Sequence, residues 1–303
     1  MFDSPTQLEN LRCIAYMVVA MAGFAIEDAI IKQLSLTMPI SEILMLIGLG
    51  GLFIFFVVAN IRQVPLLSAD LKKPWFMIRT LSELAAAIFF VTAIVYASLS
   101  ISSAIIQATP LAVVLGGALF LKQQVSKARW ILILIGFLGV LLVIQPGLEG
   151  FKPAALLAMA AVFFLALRDT ITRGISTSIP AATISFWAFF ASFLAGVVTT
   201  PFFGPFRPIT PDTLILLFTA TLAGTGAYVA VVLATRAGDI AVIAPFRYTR
   251  LIFALGLSIL IFEEPVNALM IAGSLMIIGS GIMMLALKDQ PVNSRIKKSD
   301  IVS

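Results

Sequence analysis

Apolar runs recur along the whole chain, each about 20 residues long and broken by a charged cluster or a Pro/Gly turn; that is the length needed to cross the hydrocarbon core of a bilayer. They cover roughly 11–31, 41–61, 74–97, 102–121, 129–145, 153–173, 180–203, 213–235, 240–262 and 267–287. The connections are short, as in Thr37-Met38-Pro39 and around Asp212, and none is long enough for a separate soluble domain. The pattern predicts an all-α integral membrane protein with ten transmembrane helices.

A shift of 141 residues superposes the two halves. Glu27-Asp28 with Lys32 falls on Arg168-Asp169 with Arg173, Pro39 on Pro180, Thr80-Leu81 on Thr221-Leu222, and Val125 on Val266. Apolar coincidences mean little in so apolar a chain, but a shared intramembrane Asp and a shared interhelix Pro are rarer. Each half holds five helices, an odd number, so the second enters the membrane upside down. That is the inverted repeat of secondary transporters. The expected units are a first repeat over 1–147, a second over 148–290 and a basic cytoplasmic tail over 291–303.

Loop charge orients this arrangement. With a cytoplasmic N-terminus, Arg12, Arg62, Lys72, Lys73, Lys122, Lys127, Arg129, Arg173, Arg236 and the basic tail lie inside, and only Lys32, Lys152 and Arg207 lie outside. Lys122-Gln123 is matched by Glu263-Glu264, a charge reversal expected of loops on opposite sides. Both termini are therefore expected in the cytoplasm, and the N-terminal run, preceded by Asp3 and Glu9, as an uncleaved helix.

Composition narrows the chemistry. The chain is 60% hydrophobic and 12% charged, with no histidine and a single cysteine. Proton transfer would therefore fall to carboxylates, and neither an intramolecular disulfide nor a multi-cysteine metal site can form. The net charge of +5 follows membrane topology rather than nucleic acid, and no nucleotide loop or nucleophile constellation is present. No cofactor, metal or enzymatic activity is expected.

Several runs carry a resemblance: Gln107-Ala108-Thr109-Pro110-Leu111, Gly136-Phe137-Leu138-Gly139-Val140 with Gln145-Pro146-Gly147, Ala244-Pro245-Phe246-Arg247-Tyr248, and Phe262-Glu263-Glu264-Pro265. In these the chain resembles the drug/metabolite transporter superfamily, specifically its EamA-type members. Many relatives place an arginine in the second helix where this chain has Leu46-Ile47-Gly48-Leu49, so any role tied to that arginine is dropped. The Ala-Pro-aromatic-Arg-Tyr run is similar to that of bacterial S-adenosylmethionine uptake carriers, and the overall pattern resembles EamA-type riboflavin importers.

Eight ionisable residues fall inside predicted helices: Glu27, Asp28, Arg79, Glu83, Arg168, Asp169, Arg247 and Arg250. Such a group costs at least about 2.5–3.5 kcal/mol at a helix centre, so each must face a partner, water or a ligand. Arg79 and Glu83, four apart, share a face; they form either a structural clamp or a cavity arginine with its orienting acid. Arg247 and Arg250 share a face with no acid beyond Asp239 on their helix. A rise of about 1.5 Å per residue puts Arg250 about 15 Å deep, near the midplane. They meet either Glu83 or Asp169 on other helices or an anionic or carbonyl-rich substrate. Pro110 and Pro245 are expected helix breaks that free carbonyls, or packing kinks. Glu27-Asp28 and Arg168-Asp169 are expected toward opposite faces, as gates closed alternately by salt bridges or as braces. Gln107, Tyr228 and Tyr248 are the candidate uncharged cavity residues, and Gly116, Gly117, Gly224, Gly226, Gly273, Gly279 and Gly281 the candidate sites of close helix approach.

The expected function is secondary-active transport of a small organic metabolite across the cell inner membrane by alternating access. Riboflavin is the leading cargo, with S-adenosylmethionine uptake or amino-acid or metabolite export as alternatives. A channel or a non-transport membrane protein is the competing class. The partners are a small-molecule substrate and the lipid bilayer, with no nucleic acid; a homodimer is an admissible assembly.

Overall fold

The computed structural model describes residues 7–67, 71, 73–120, 125–148, 151–174, 179–237 and 240–287. Lys72, Lys122, Gln123, Asp239 and the tail 291–303 lie outside them, as do the side chains of Arg173 and Arg236. The helices are α1 (Gln7–Leu34), α2 (Ile40–Ile61), α3 (Pro74–Tyr96), α4 (Leu99–Ile106), α5 (Thr109–Phe120), α6 (Lys127–Ile144), α7 (Ala155–Gly174), α8 (Ala181–Phe203), α9 (Pro211–Ala237), α10 (Ile240–Ile243), α11 (Thr249–Phe262) and α12 (Ala268–Ala286). A 3₁₀ turn over Ala244–Tyr248 joins α10 to α11. Among the described residues nine helices are long and apolar enough to cross a bilayer, and the α4–α5 pair, bent by 41°, makes the tenth span.

The same local chemistry starts corresponding helices in both halves. Pro39 and Pro180 each sit at the N-cap of the second helix of their half in extended conformation, where proline needs no donor. Thr80 and Thr221 each return their hydroxyl to the carbonyl four residues back, Phe76 and Leu217, so neither polar group faces lipid unsatisfied. The repeat is thus written into backbone satisfaction as well as into apolar pattern.

Packing follows a pseudo-two-fold axis. The main helix pairs are α1 with α9, α3 with α7, α2 with α8 and α6 with α12, and α4 also touches α11. Exchanging the halves turns the α1–α9 contact into the α7–α3 contact and returns the α2–α8 and α6–α12 pairs each to itself. One apolar cluster gathers Ala93, Ile105, Val143, Ala158, Leu251 and Ile277 from both halves, and another packs Ile43, Leu44 and Ile47 against Ala195 and Leu217.

Small residues allow the closest approaches. A Cβ on Gly139 would stand 2.7 Å from the Gly273 carbonyl oxygen, and one on Gly273 would stand 2.5 Å from that of Gly139, so α6 and α12 touch backbone to backbone. Gly281 gives the same kind of room to the Tyr248 hydroxyl. Gly116, Gly226 and Gly279 do not act this way, because a Cβ at each would meet nothing within 4 Å.

Candidate functional site

Both expected breaks occur, and both open beside the same space. The fourth span stops at Ile106, turns through Gln107-Ala108 and restarts at Thr109, with Pro110 in the first turn of α5, where its missing N–H matters least. The ninth span is interrupted by the 3₁₀ turn that Pro245 helps to begin. Gln107 Nε2 donates to the Arg247 carbonyl at 3.3 Å, joining the two breaks across the halves.

Between them lies a cavity of about 470 Å³ lined by Glu27 and Asp28 of α1, Glu83 of α3, Gln107, Thr109 and Pro110 of the fourth span, Arg168 and Asp169 of α7, Tyr228 of α9, and Arg247, Tyr248 and Arg250 of the ninth span. Glu27-Asp28 and Arg168-Asp169, expected toward opposite membrane faces, both open on this one cavity, Glu27 and Asp28 from α1 and Arg168 and Asp169 from α7. A larger cleft of about 700 Å³ between α5, α6 and α7 is lined by apolar side chains and Thr170. The Thr170 hydroxyl is already bonded to the Ala166 carbonyl at 2.7 Å, so this cleft offers a polar cargo nothing.

Arg250 is held by Asp28, not by Glu83 or Asp169. Its Nη2 and Nε donate to Asp28 Oδ2 at 2.6 and 3.2 Å, and its guanidinium lies 5.2 Å from the Phe24 ring centroid and 5.4 Å from that of Phe90. The charge of this arginine is therefore met by Asp28, and two rings lie within cation–π distance of it. A second cluster ties α3 to α7: Arg168 reaches Glu83 at 2.8 Å and Asp169 at 2.7 Å, and Arg79 reaches Glu83 at 3.4 Å and the Thr172 hydroxyl at 3.3 Å. Arg79 is 2% exposed and does not line the cavity; Glu83 does, with Arg79 behind it. Of the predicted residues, Arg79 and Pro245 thus support the wall rather than form it. Arg247 is exposed, and its guanidinium has no partner among the described residues.

One charged group was not singled out by the sequence. Glu264 follows α11 and accepts from the backbone amides of Leu99 and Ser100 at 3.0 Å each, from the Ser100 hydroxyl at 2.7 Å, from Lys32 Nζ and from the Ser258 hydroxyl. It closes one end of the space between α1, α4 and α11, with Lys152 Nζ on the Ala97 carbonyl at 2.6 Å and a reciprocal Gln145–Asn267 amide pair beside it. Its sequence signal was the Phe262-Glu263-Glu264-Pro265 run, read there as a family mark and as a loop-charge reversal against Lys122-Gln123. No group of three or more potential metal ligands occurs among the described residues.

The chain is similar to a riboflavin transporter of Rhizobium johnstonii, 25% identical over 76% of each chain. It is similar to the pseudopaline exporter of Pseudomonas aeruginosa, 26% identical over 89% of this chain and 95% of the relative. An S-adenosylmethionine uptake transporter of Rickettsia conorii is 23% identical over 61% and 63% of the two chains. A solved crystal structure aligns with a TM-score of 0.61 at 14% identity, over 92% of this chain and 98% of its own, and so shares the fold. The EamA-like transporter family model matches twice, over residues 11–145 and 152–286, and with its paired five-helix halves and polar cavity between them the chain belongs to that family.

Proposed function

We propose that the protein is a secondary carrier that moves a small polar metabolite across the inner membrane by alternating access, with the cavity between the halves as its loading site. The observation that carries this reading is that, among the described residues, the ion pairs linking different elements at or beside the cavity join the first half to the second: Asp28 to Arg250, Glu83 to Arg168, Lys32 to Glu264. Rocking one half against the other must exchange these contacts, as alternating access requires. A volume of about 470 Å³ suits a small organic molecule and exceeds what an ion alone would need.

In this reading Gln107, Tyr228, Tyr248 and Arg247 face the cargo, while Asp28 with Arg250, and Glu83 with Arg168 and Asp169, are the pairs that reorganise. The halves are taken as 1–147 and 148–290, with both termini cytoplasmic. The Lys32–Glu264 closure then lies at the outer end. Arg250 is already engaged by Asp28, Phe24 and Phe90, and the support for riboflavin here is the likeness to its transporter.

Counterflow in proteoliposomes tests the reading, with riboflavin, S-adenosylmethionine and a set of amino acids as labelled probes. Saturable uptake that is accelerated by the same compound on the far side is expected for at least one probe. Flux linear in concentration for all of them would replace the carrier with a channel.

A further inference from the structure

The pseudo-symmetry of the cavity is broken at one place. Under the 141-residue shift, Glu27 corresponds to Arg168 and Gly224 to Glu83, and the α1–α9 contact that brings Glu27 to Gly224 is the counterpart of the α7–α3 contact that brings Arg168 to Glu83. One contact is therefore a complete ion pair, Arg168 on Glu83 at 2.8 Å. The other is half of one. Glu27 keeps an acidic group, and the helix opposite offers glycine where its counterpart offers a charge; Arg79, behind Glu83, corresponds to Ala220.

The Glu27 carboxylate uses the space that results. A Cβ on Gly224 would stand 2.2 Å from Glu27 Oε1, so the carboxylate rests against the bare backbone of α9 while lining the cavity. Among the described residues it has no hydrogen-bond or ion-pair partner, and its neighbour Asp28 already holds Arg250. Arg250 attracts Glu27 through space, but its charge is already matched by Asp28, so a carboxylate at this depth is costly unless something positive meets it directly.

We infer that Glu27 is the acceptor for a positively charged group on the cargo, an organic ammonium or comparable cation, which completes in the loaded carrier the ion pair that the protein leaves unfinished. This rests on the carrier reading and narrows its substrate class. The cation would enter from the cavity side of the carboxylate, opposite Gly224.

The test is counterflow and thermal stabilisation of the full-length protein, with S-adenosylmethionine and lysine as cation-bearing probes and riboflavin as an uncharged one. At least one cation-bearing probe is expected to be a saturable substrate of the unmodified protein. Glu27→Gln should weaken it at least tenfold without lowering the melting temperature of the unloaded protein, since no internal pair is lost. Gly224→Ala, whose new methyl displaces the carboxylate, should weaken it several-fold.

Unchanged affinity in Glu27→Gln would overturn the inference, as would a fall in its unloaded melting temperature, which would reveal a partner within the protein. A variant that only loses the pH dependence of uptake would make Glu27 a proton site and overturn it equally. Saturable counterflow of riboflavin alone, indifferent to Glu27→Gln, would overturn the inference and leave the carrier standing. No saturable flux of any probe would remove both.

Discussion

The closed end and the cavity solve the problem of charge in a membrane differently. At the closed end one carboxylate, Glu264, gathers an ammonium, two backbone amides and two hydroxyls, so its charge is met chiefly by groups that need only be present in one arrangement. In the cavity Arg250 has one acid and two rings, and Arg168 shares two acids. The first arrangement behaves as a latch with a single satisfied state. The second meets each charge with fewer contacts, a single acid for Arg250 and two shared acids for Arg168, so less has to be given up if the halves move as proposed.

The largest effect is expected at the latch. Glu264→Ala leaves Lys32 without its acid and the first amides of α4 without their acceptor, a loss of about 3–5 kcal/mol if the surroundings do not rearrange. A fall in melting temperature, together with new labelling of a cysteine placed at Ser100 by an impermeant thiol reagent, would confirm it. Unchanged labelling and stability would show that the apolar packing closes this end unaided.

Next comes the Asp28–Arg250 pair. Asp28→Asn or Arg250→Ala alone should cost about 2–4 kcal/mol, because each leaves a partly buried charge facing a neutral group, and the double mutant should cost clearly less than their sum. A cycle built on Arg250 and Glu83 should instead be close to additive, since these two belong to separate clusters. Coupling in the second cycle and none in the first would refute the pairing described here.

Smaller effects are expected where redundancy is greatest. Glu83→Gln leaves Arg168 with Asp169 and should lower stability by about 1–2 kcal/mol while slowing turnover more than it weakens binding. Asn267→Ala removes both the amide partner of Gln145 and the N-cap of α12, for about 1 kcal/mol, and is read by melting temperature.

The spans and the repeat were legible because they rest on short-range signals: apolar runs, Pro39 with Pro180, Thr80 with Thr221, Asp28 with Asp169. The two breaks were legible from Pro110 and Pro245. Partnerships were not. Asp28 meets Arg250 across 222 positions through the rotation of α1 and α11, which no periodicity in either helix encodes. Arg79 and Glu83 share a helix face, yet only packing against α7 decides which of them sees the cavity. The 141-residue shift also sets Glu83 against Gly224, a mismatch that acquires meaning only when α1 is known to lie on α9 as α7 lies on α3.

The bend in the fourth span has a consequence for the surrounding lipid. Glu264 grips the first amides of α4, whereas α5, beyond the joint at Gln107-Ala108, forms a wall of the apolar cleft beside α6 and α7. A jointed rod can swing its inner segment while its outer segment keeps its place among acyl chains. If the halves rock as proposed, the bilayer need not be thinned or reshaped each time the end held by Glu264 opens, and turnover should vary little between membranes of different hydrocarbon thickness.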